Sequence, residues 1–156
     1  GNPRANMNHT QSSATIDRYT LNGRPIGEIA QFALHQGALG LPLIFLSGDE
    51  EACREAEELI PGLTTAAVKQ SLSRNAAISL SIQESHRRIR EGVRAALERQ
   101  QREPIPPLTW PGPYVLEKRF FHTDAADAAE ARPGAERVDG QTVRYRATEI
   151  RDIIYA

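Results

Sequence analysis

The sequence has little of what small secreted, membrane or nucleic-acid-binding proteins depend on. Its one cysteine, Cys53, excludes an intrachain disulfide framework and favours a reducing, cytoplasmic location. No apolar run reaches the roughly 18 residues that a membrane span requires. The 19 basic and 20 acidic residues give a net charge of -1, which argues against a general nucleic-acid or membrane-surface role. The remaining possibility is a globular chain that is long enough for one domain with its own core.

Common catalytic signatures are also missing. The sequence has no CxxC, HExxH, Walker, GxGxxG or GxSxG motif. The chain does not begin with methionine, and its first residues lack the apolar core of a signal peptide. We therefore expect that translation starts upstream of residue 1. The apolar end at 153–155 likewise suggests that the natural chain continues.

The apolar pattern of residues 1–70 predicts an α/β fold, with a mixed or parallel sheet flanked by helices. The turn signal Asn22-Gly23 closes a hairpin, because both residues tolerate positive φ. A continuous apolar strand followed by a capping sequence and a helix is typical of parallel α/β units. The predicted elements are a strand at 15–21, a helix at 27–38, a strand at 43–46, a helix from about 50 to 59 and a strand at 64–68.

The rest of the chain divides into a helical segment at 71–103 and a C-terminal α+β portion at 104–156. Ser81 with Glu84 offers a capping box inside the helical segment, and we expect a break in the helix near Ser79. Five prolines between 104 and 113 predict a rigid connector. The later predicted elements are a strand at 114–121, a helix at 123–131, a hairpin around Asp139-Gly140 and the opening of a helix at 147–155.

Four residues are candidates for chemistry, and His9, Glu28 and Asp49 each have an ordinary structural alternative. His9 lies in a polar loop, where it is either a proton-transfer group or a solvent-exposed side chain. Glu28 begins a predicted helix, where it is either a metal ligand or an acid that complements the helix dipole. Asp49 is first a helix cap and second a site residue. Lys69 follows an apolar strand, a position where α/β proteins often place functional groups.

Four ordered segments resemble one known family. They are Asn-His-Thr at 8–10, Asn-Gly-Arg-Pro-Ile-Gly-Glu at 22–28, Leu-Pro-Leu-Ile-Phe-Leu-Ser-Gly-Asp at 41–49 and Ala-Glu-Glu-Leu-Ile-Pro-Gly-Leu-Thr-Thr-Ala-Ala-Val-Lys at 56–69. Their order and their residues resemble the second half of the bacterial zinc D-aminopeptidases of the dipeptide-permease operon type. Residues 113–121 and 140–146 also resemble late strands of that family. The chain would then hold only part of the full family fold.

The resemblance implies a binuclear zinc peptidase that removes D-amino acids from short peptides. Glu28 matches a glutamate ligand of the family, and His9 matches its catalytic histidine. The other four ligands, an Asp-x-Glu pair and two histidines, would lie upstream of residue 1. Family members assemble into rings, so a homo-oligomer is expected. The polar run Asn6-Met7-Asn8 departs from the small apolar residues expected before His9, and it could alter the substrate preference.

Two functions follow as hypotheses. In the first, the chain is a metallo-aminopeptidase half that is active with two zinc ions and an N-terminal half or complementary chain. Its substrate would be a short peptide, with Lys69 and Asp49 as candidate substrate-binding residues, and neither nucleic acid nor membrane would be a partner. In the second, the chain is a non-catalytic assembly or peptide-binding module that keeps the fold without the metal centre.

Overall fold

The computed structural model describes residues 2–156 and shows a mixed α/β fold of two sheets with flanking helices. The strands are β1 (Ile16–Leu21), β2 (Arg24–Ile26), β3 (Phe45–Asp49), β4 (Thr64–Ser73), β5 (Ala76–Ser79), β6 (Tyr114–Phe120), β7 (Ala135–Arg137) and β8 (Thr142–Ala147). The helices are α1 (Glu28–Ala38), α2 (Glu50–Leu59), α3 (Ile82–Arg102) and α4 (Thr123–Glu130), and a short 3-10 helix spans Ile150–Asp152.

The larger sheet joins the beginning of the chain to its end. Its strand order is β2-β1-β6-β8-β7, and all neighbouring strands are antiparallel. Alternate side chains of β1, β6 and β8 point into the main core, as the period of two in a half-buried strand requires. Leu21, Leu116 and Val143 are fully buried there, together with Ile154 from the C-terminal segment. Ala30 and Leu34 of α1 pack into this core next to Ile26 of β2. This packing fixes the position of the start of α1.

The smaller sheet has the order β3-β4-β5 and contains the predicted parallel pair. β3 and β4 run parallel, and β5 returns antiparallel to β4. Both α2 and α3 pack against β4. A second apolar cluster, built around Ala33, Ala56 and Ile60, links α1 to α2 and so connects the two sheets.

Local capping and turn signals predicted several elements correctly. Asn22 and Gly23 have φ values of 50° and 76°, as the predicted hairpin turn requires. The Asp49 side chain accepts a hydrogen bond from the Ala52 amide at the start of α2, and Ser81 accepts one from Glu84 at the start of α3. Each cap satisfies a backbone donor that the first helical turn leaves without a partner.

Three expectations about secondary structure were wrong. Residues 71–81 form the end of β4, the β5 strand and their turn instead of a helix. Residues 147–155 do not open an α-helix, because Ile153 and Ile154 turn into the core after one 3-10 turn. The strand predicted at 43–46 is shifted to Phe45–Asp49, and its apolar residues are half-buried instead of buried on both faces.

The proline-rich connector at 104–113 packs directly on α1. A Cβ atom added at Gly37 would lie 1.8 Å from the carbonyl oxygen of Leu108, so only glycine permits this approach. The connector thereby contacts the last turn of α1. Within residues 2–156, no helix is both long enough and apolar enough to cross a membrane.

Candidate metal and catalytic site

Glu28 is placed by a hairpin that feeds directly into a helix. The buried Ile26 ends β2, Gly27 is the extended N-cap residue, and Glu28 is the first residue of α1. Its carboxylate lies where the helix dipole favours a negative charge. The side chain is 48% exposed, so the carboxylate stands on a helix with one buried face but remains open to a ligand.

His9 lies in an N-terminal loop that the smaller sheet holds in position. The Asn6 amide donates to the Ser71 hydroxyl oxygen at 2.8 Å, and the Met7 amide donates to the carbonyl oxygen of Arg74 at 2.6 Å. Both acceptors belong to the β4–β5 hairpin, in the segment that the sequence pattern predicted to be helical. The corrected secondary structure therefore explains how the His9 loop is fixed.

The His9 imidazole and the Glu28 carboxylate face each other. His9 Nε2 lies 3.6 Å from Glu28 Oε1, a distance slightly too long for a hydrogen bond. The other ring nitrogen, Nδ1, lies 2.7 Å from the carbonyl oxygen of Met7. Because a carbonyl oxygen only accepts, Nδ1 carries the proton in neutral His9, and Nε2 presents its lone pair to the carboxylate. The two groups thus offer a ring lone pair and a carboxylate oxygen on facing sides, a combination that suits a bound cation.

The carboxylate also makes a contact with the loop. Glu28 Oε1 accepts a hydrogen bond from the Gln11 amide at 2.8 Å. The negative charge of Glu28 is felt by nearby tyrosines: burial first, and then Tyr145 and Glu28, raise the pKa of Tyr19 to about 12. Burial and Glu28 also raise the pKa of Tyr155. Both phenols thus stay protonated at neutral pH.

A cleft of about 560 Å³ opens beside the pair. This volume lies within the roughly 300–1,000 Å³ typical of small-ligand sites. His9, Tyr19 and Gly27 line the cleft, whereas Glu28, the residue after Gly27, does not, and charged side chains of both signs complete the wall. Those charged lining residues are Asp17, Arg18, Glu55, Glu58 and Arg74. The cleft thus offers charged groups of both signs to a polar ligand.

The described residues fit only part of a catalytic zinc site. An imidazole and a carboxylate are suitable zinc ligands, but catalytic sites usually use three protein ligands. Between residues 2 and 156, no group of three or more His, Cys, Asp or Glu side chains is arranged to hold a metal ion. Glu28 and His9 can therefore contribute to a zinc centre but cannot form one by themselves.

The structure separates Asp49 and Lys69 from this pair. The two residues are partners in the β3–β4 ladder, and neither is among the described residues that line the cleft. Asp49 is buried and caps α2, whereas Lys69 is exposed. The capping interpretation of Asp49 is confirmed. A role of either residue in substrate binding stays a prediction.

Two glutamines near the site were missed by the sequence analysis. Gln31 lies three residues after Glu28 on α1 and is fully buried, and its side chain bonds that of Gln11 at 2.9 Å. A polar residue in the buried face of an amphipathic helix was the available signal. Gln11 itself lies in a loop and gave none.

The site thus combines a metal-compatible carboxylate and an imidazole beside a cleft on an α/β scaffold. Residues 1–156 match the model of the peptidase M55 family, described as D-aminopeptidase. This match covers the whole chain, and the chain belongs to this family. The resemblance noted in the sequence is confirmed.

Two comparisons place the chain within the family. It is 38% identical over 136 residues to the D-aminopeptidase of Bacillus subtilis strain 168, an alignment that covers 86% of this chain and 49% of that enzyme. It is also similar to the solved structure of the Zn-dependent D-aminopeptidase DppA from Bacillus subtilis, described as a self-compartmentalizing protease. The TM-score is 0.87 at 35% identity, over 96% of this chain and 54% of the other. The chain spans about half the length of these relatives.

Proposed function

We propose that this chain supplies Glu28 and His9 to a zinc-dependent aminopeptidase that releases N-terminal D-amino acids from short peptides. The observation that supports this most is the approach of His9 Nε2 to Glu28 Oε1, at 3.6 Å, beside a cleft of peptide size. Membership of a D-aminopeptidase family supports the reaction type, and the zinc dependence of the similar Bacillus enzyme supports the metal.

The two side chains have different roles in this proposal. Glu28 is a zinc ligand, since its carboxylate is an anionic oxygen donor on a rigid helix start. Zinc, when bound, activates water and polarises the scissile carbonyl. His9 moves the proton: in the Nδ1–H tautomer its Nε2 would take a proton from the attacking water and pass it to the amine that leaves when the C–N bond breaks. The contact of Nδ1 with Met7 holds the ring in the orientation that this transfer requires.

The proposed centre contains two zinc ions and is completed by residues outside this chain. Among residues 2–156 no three His, Cys, Asp or Glu side chains are arranged to hold a metal ion, and the chain spans 49% of its Bacillus relative. The N-terminal half of the same protein, or a complementary chain, would supply the remaining ligands. We place this protein in the cytoplasm, a proposal supported by its one free, buried thiol at Cys53.

Assembly into a homo-oligomeric ring is part of the same proposal. The similar Bacillus enzyme is described as self-compartmentalizing. On the long helix α3, the apolar side chains of Ile82, Val93 and Leu97 are 71%, 38% and 53% exposed. Burial of these side chains between subunits would favour association.

A non-catalytic assembly or peptide-binding module is the competing function. The lack of a three-donor cluster in residues 2–156 favours it, since a chain that only binds peptides can dispense with metal. The cleft would then serve peptide binding alone.

Metal analysis with intact-mass measurement separates the two functions. The peptidase proposal predicts stoichiometric zinc in purified active material, together with a complementary segment that supplies further ligands. It also predicts that His9→Ala keeps the zinc but abolishes release of D-amino acids from a D-alanyl peptide. Protein of about 17.3 kDa without zinc and without a companion would support the module instead. Zinc loss in His9→Ala would show that His9 is a ligand.

A further inference from the structure

A buried glutamine connects the candidate site to the core. Gln31 has no exposed surface, and both ends of its amide have partners. Its Nε2 donates to the carbonyl oxygen of Ile154 at 3.0 Å, and its Oε1 accepts from Gln11 Nε2 at 2.9 Å. The orientation of the amide is fixed chemically: the Ile154 carbonyl only accepts, so Nε2 must face it and Oε1 must face Gln11.

Gln11 transmits this constraint to the carboxylate. Its backbone has φ of 65°, a left-handed conformation that non-glycine residues rarely adopt. Such strain persists only when surrounding contacts enforce it, and it often occurs at functional sites. Here the Gln31 bond holds the side chain, while the Gln11 amide donates to Glu28 Oε1 at 2.8 Å. The strained residue therefore points its one backbone donor at the proposed metal ligand.

The same contacts constrain His9. Gln11 is two residues after His9, so the loop cannot move at Gln11 without moving the imidazole. Glu28 and Gln31 are three residues apart on α1 and therefore lie on one side of the helix. The loop is thus fixed to two points on a single rigid element. The Gln11 amide uses one lone pair of Oε1, which leaves the other carboxylate oxygen for a ligand.

We propose that Gln31 and Gln11 are positioning residues that hold the Glu28 carboxylate and the His9 imidazole in their working geometry. The inference rests on the proposed function for the roles of Glu28 and His9. Outer contacts of this kind orient metal ligands, and their loss typically costs about 10- to 100-fold in metal affinity or activity.

The test uses Gln31→Met and Gln11→Met, which keep the side-chain length but remove the amide–amide bond. Gln100→Met is the matched control. The Gln100 side chain also bonds through both ends of its amide, donating to the carbonyl oxygen of Ile105 and accepting from the Ile105 amide. It lies on α3, away from the site. If Gln31→Met fails to fold, Gln11→Met tests the same bond from its exposed end. The double variant shows whether the two glutamines act through one contact.

Two readouts are required. In the 156-residue chain, hydrogen exchange of the Gln11 amide should become about tenfold faster in Gln31→Met, because the donor is no longer held against Glu28. In the zinc-loaded active protein, either variant should weaken zinc binding about tenfold and lower kcat more than it raises KM. The double variant should show the same zinc affinity and the same kcat as the single variants. Gln100→Met should resemble the wild type in both readouts.

The outcomes separate this inference from the proposed function. Wild-type amide exchange, zinc affinity and kcat in both glutamine variants would overturn the inference, while zinc loss in Glu28→Gln would leave the proposed function standing. Full zinc retention in Glu28→Gln would overturn the proposed function. Faster Gln11 exchange in Gln31→Met would still support the positioning of the loop in that case.

Discussion

Lys118 allows a quantitative test of the packing in the larger sheet. It lies in the middle of β6 and is 6% exposed, and its Nζ donates to the carbonyl oxygen of Ala156. Nζ also lies 5.3 Å from the ring centre of Tyr19, 5.7 Å from that of Phe120 and 6.0 Å from that of Tyr145. Burial, with a smaller contribution from Arg132, lowers the pKa of Lys118 from 10.5 to about 8.

This pKa makes the stability of the protein depend on pH in a defined direction. Below pH 8 the Lys118 amine is protonated in both folded and unfolded states, so the cost of burying the charge is present in full. Between about 8 and 10.5 the unfolded chain binds the proton more strongly, so the free energy of unfolding rises with pH. The slope is at most about 1.4 kcal/mol per pH unit, or about 3 kcal/mol over the whole window. The aromatic faces attract the cation and so oppose the lowering of the pKa. About 3 kcal/mol is therefore the upper limit of the gain in stability.

The assay is urea unfolding of the wild type and Lys118→Met at intervals from pH 7 to 10. The wild type should gain stability relative to Lys118→Met as the pH rises through 8, by about 2 to 3 kcal/mol at pH 10. Above pH 10 the raised pKa of Tyr19 lowers the free energy of unfolding of both proteins, because the unfolded phenol then loses its proton first, and this effect cancels in their difference. Lys69→Met, at the chain's other and exposed lysine, should show no such difference. A stability difference between wild type and Lys118→Met that stays constant with pH would show that burial does not lower the pKa of Lys118.

Further predictions concern close packing and capping, and all are read out by urea unfolding. Gly37→Ala should destabilise the protein by about 2 kcal/mol or more, because the new Cβ meets the backbone of Leu108. This loss outweighs the gain in helix propensity. Wild-type stability of this variant would show that the connector does not pack there. Gly92→Ala should cost less, since its Cβ meets the side-chain ring of Phe45. Asp49→Ala should cost about 1 kcal/mol through loss of the α2 cap, whereas Asp49→Asn should stay close to wild type; equal losses in both would contradict the capping account.

The sequence predicted those elements whose signals are local. Asn22-Gly23, the Asp49 cap and the Ser81 cap specify their turn and helix starts through neighbouring backbone groups alone. The β4–β5 hairpin was missed although Leu72, Ile78 and Leu80 alternate with serines, because the alanines and the long helix that follows favoured a helical pattern. The C-terminal segment was missed for a tertiary reason: Ile153 and Ile154 gain more by burial than by helical hydrogen bonds.

The site shows the same division between local and long-range information. Spacing alone could not bring His9 to Glu28, because a hairpin lies between them and the loop is held by residues more than 60 positions away. Their pairing was expected only from the family resemblance. The contacts of Gln31 with Gln11 and Ile154 join segments 20 and 123 residues apart, so no local pattern could reveal them.

The central claim is that Glu28 binds zinc and that His9 does not. The most direct measurement is an anomalous-difference map at the zinc edge, from crystals of the active protein whose zinc content has been verified. The account predicts a zinc peak about 2.0–2.2 Å from a Glu28 carboxylate oxygen, with His9 Nε2 beyond bonding distance. A peak bonded to His9 Nε2, or zinc that leaves the Glu28 carboxylate without a metal contact, would contradict it.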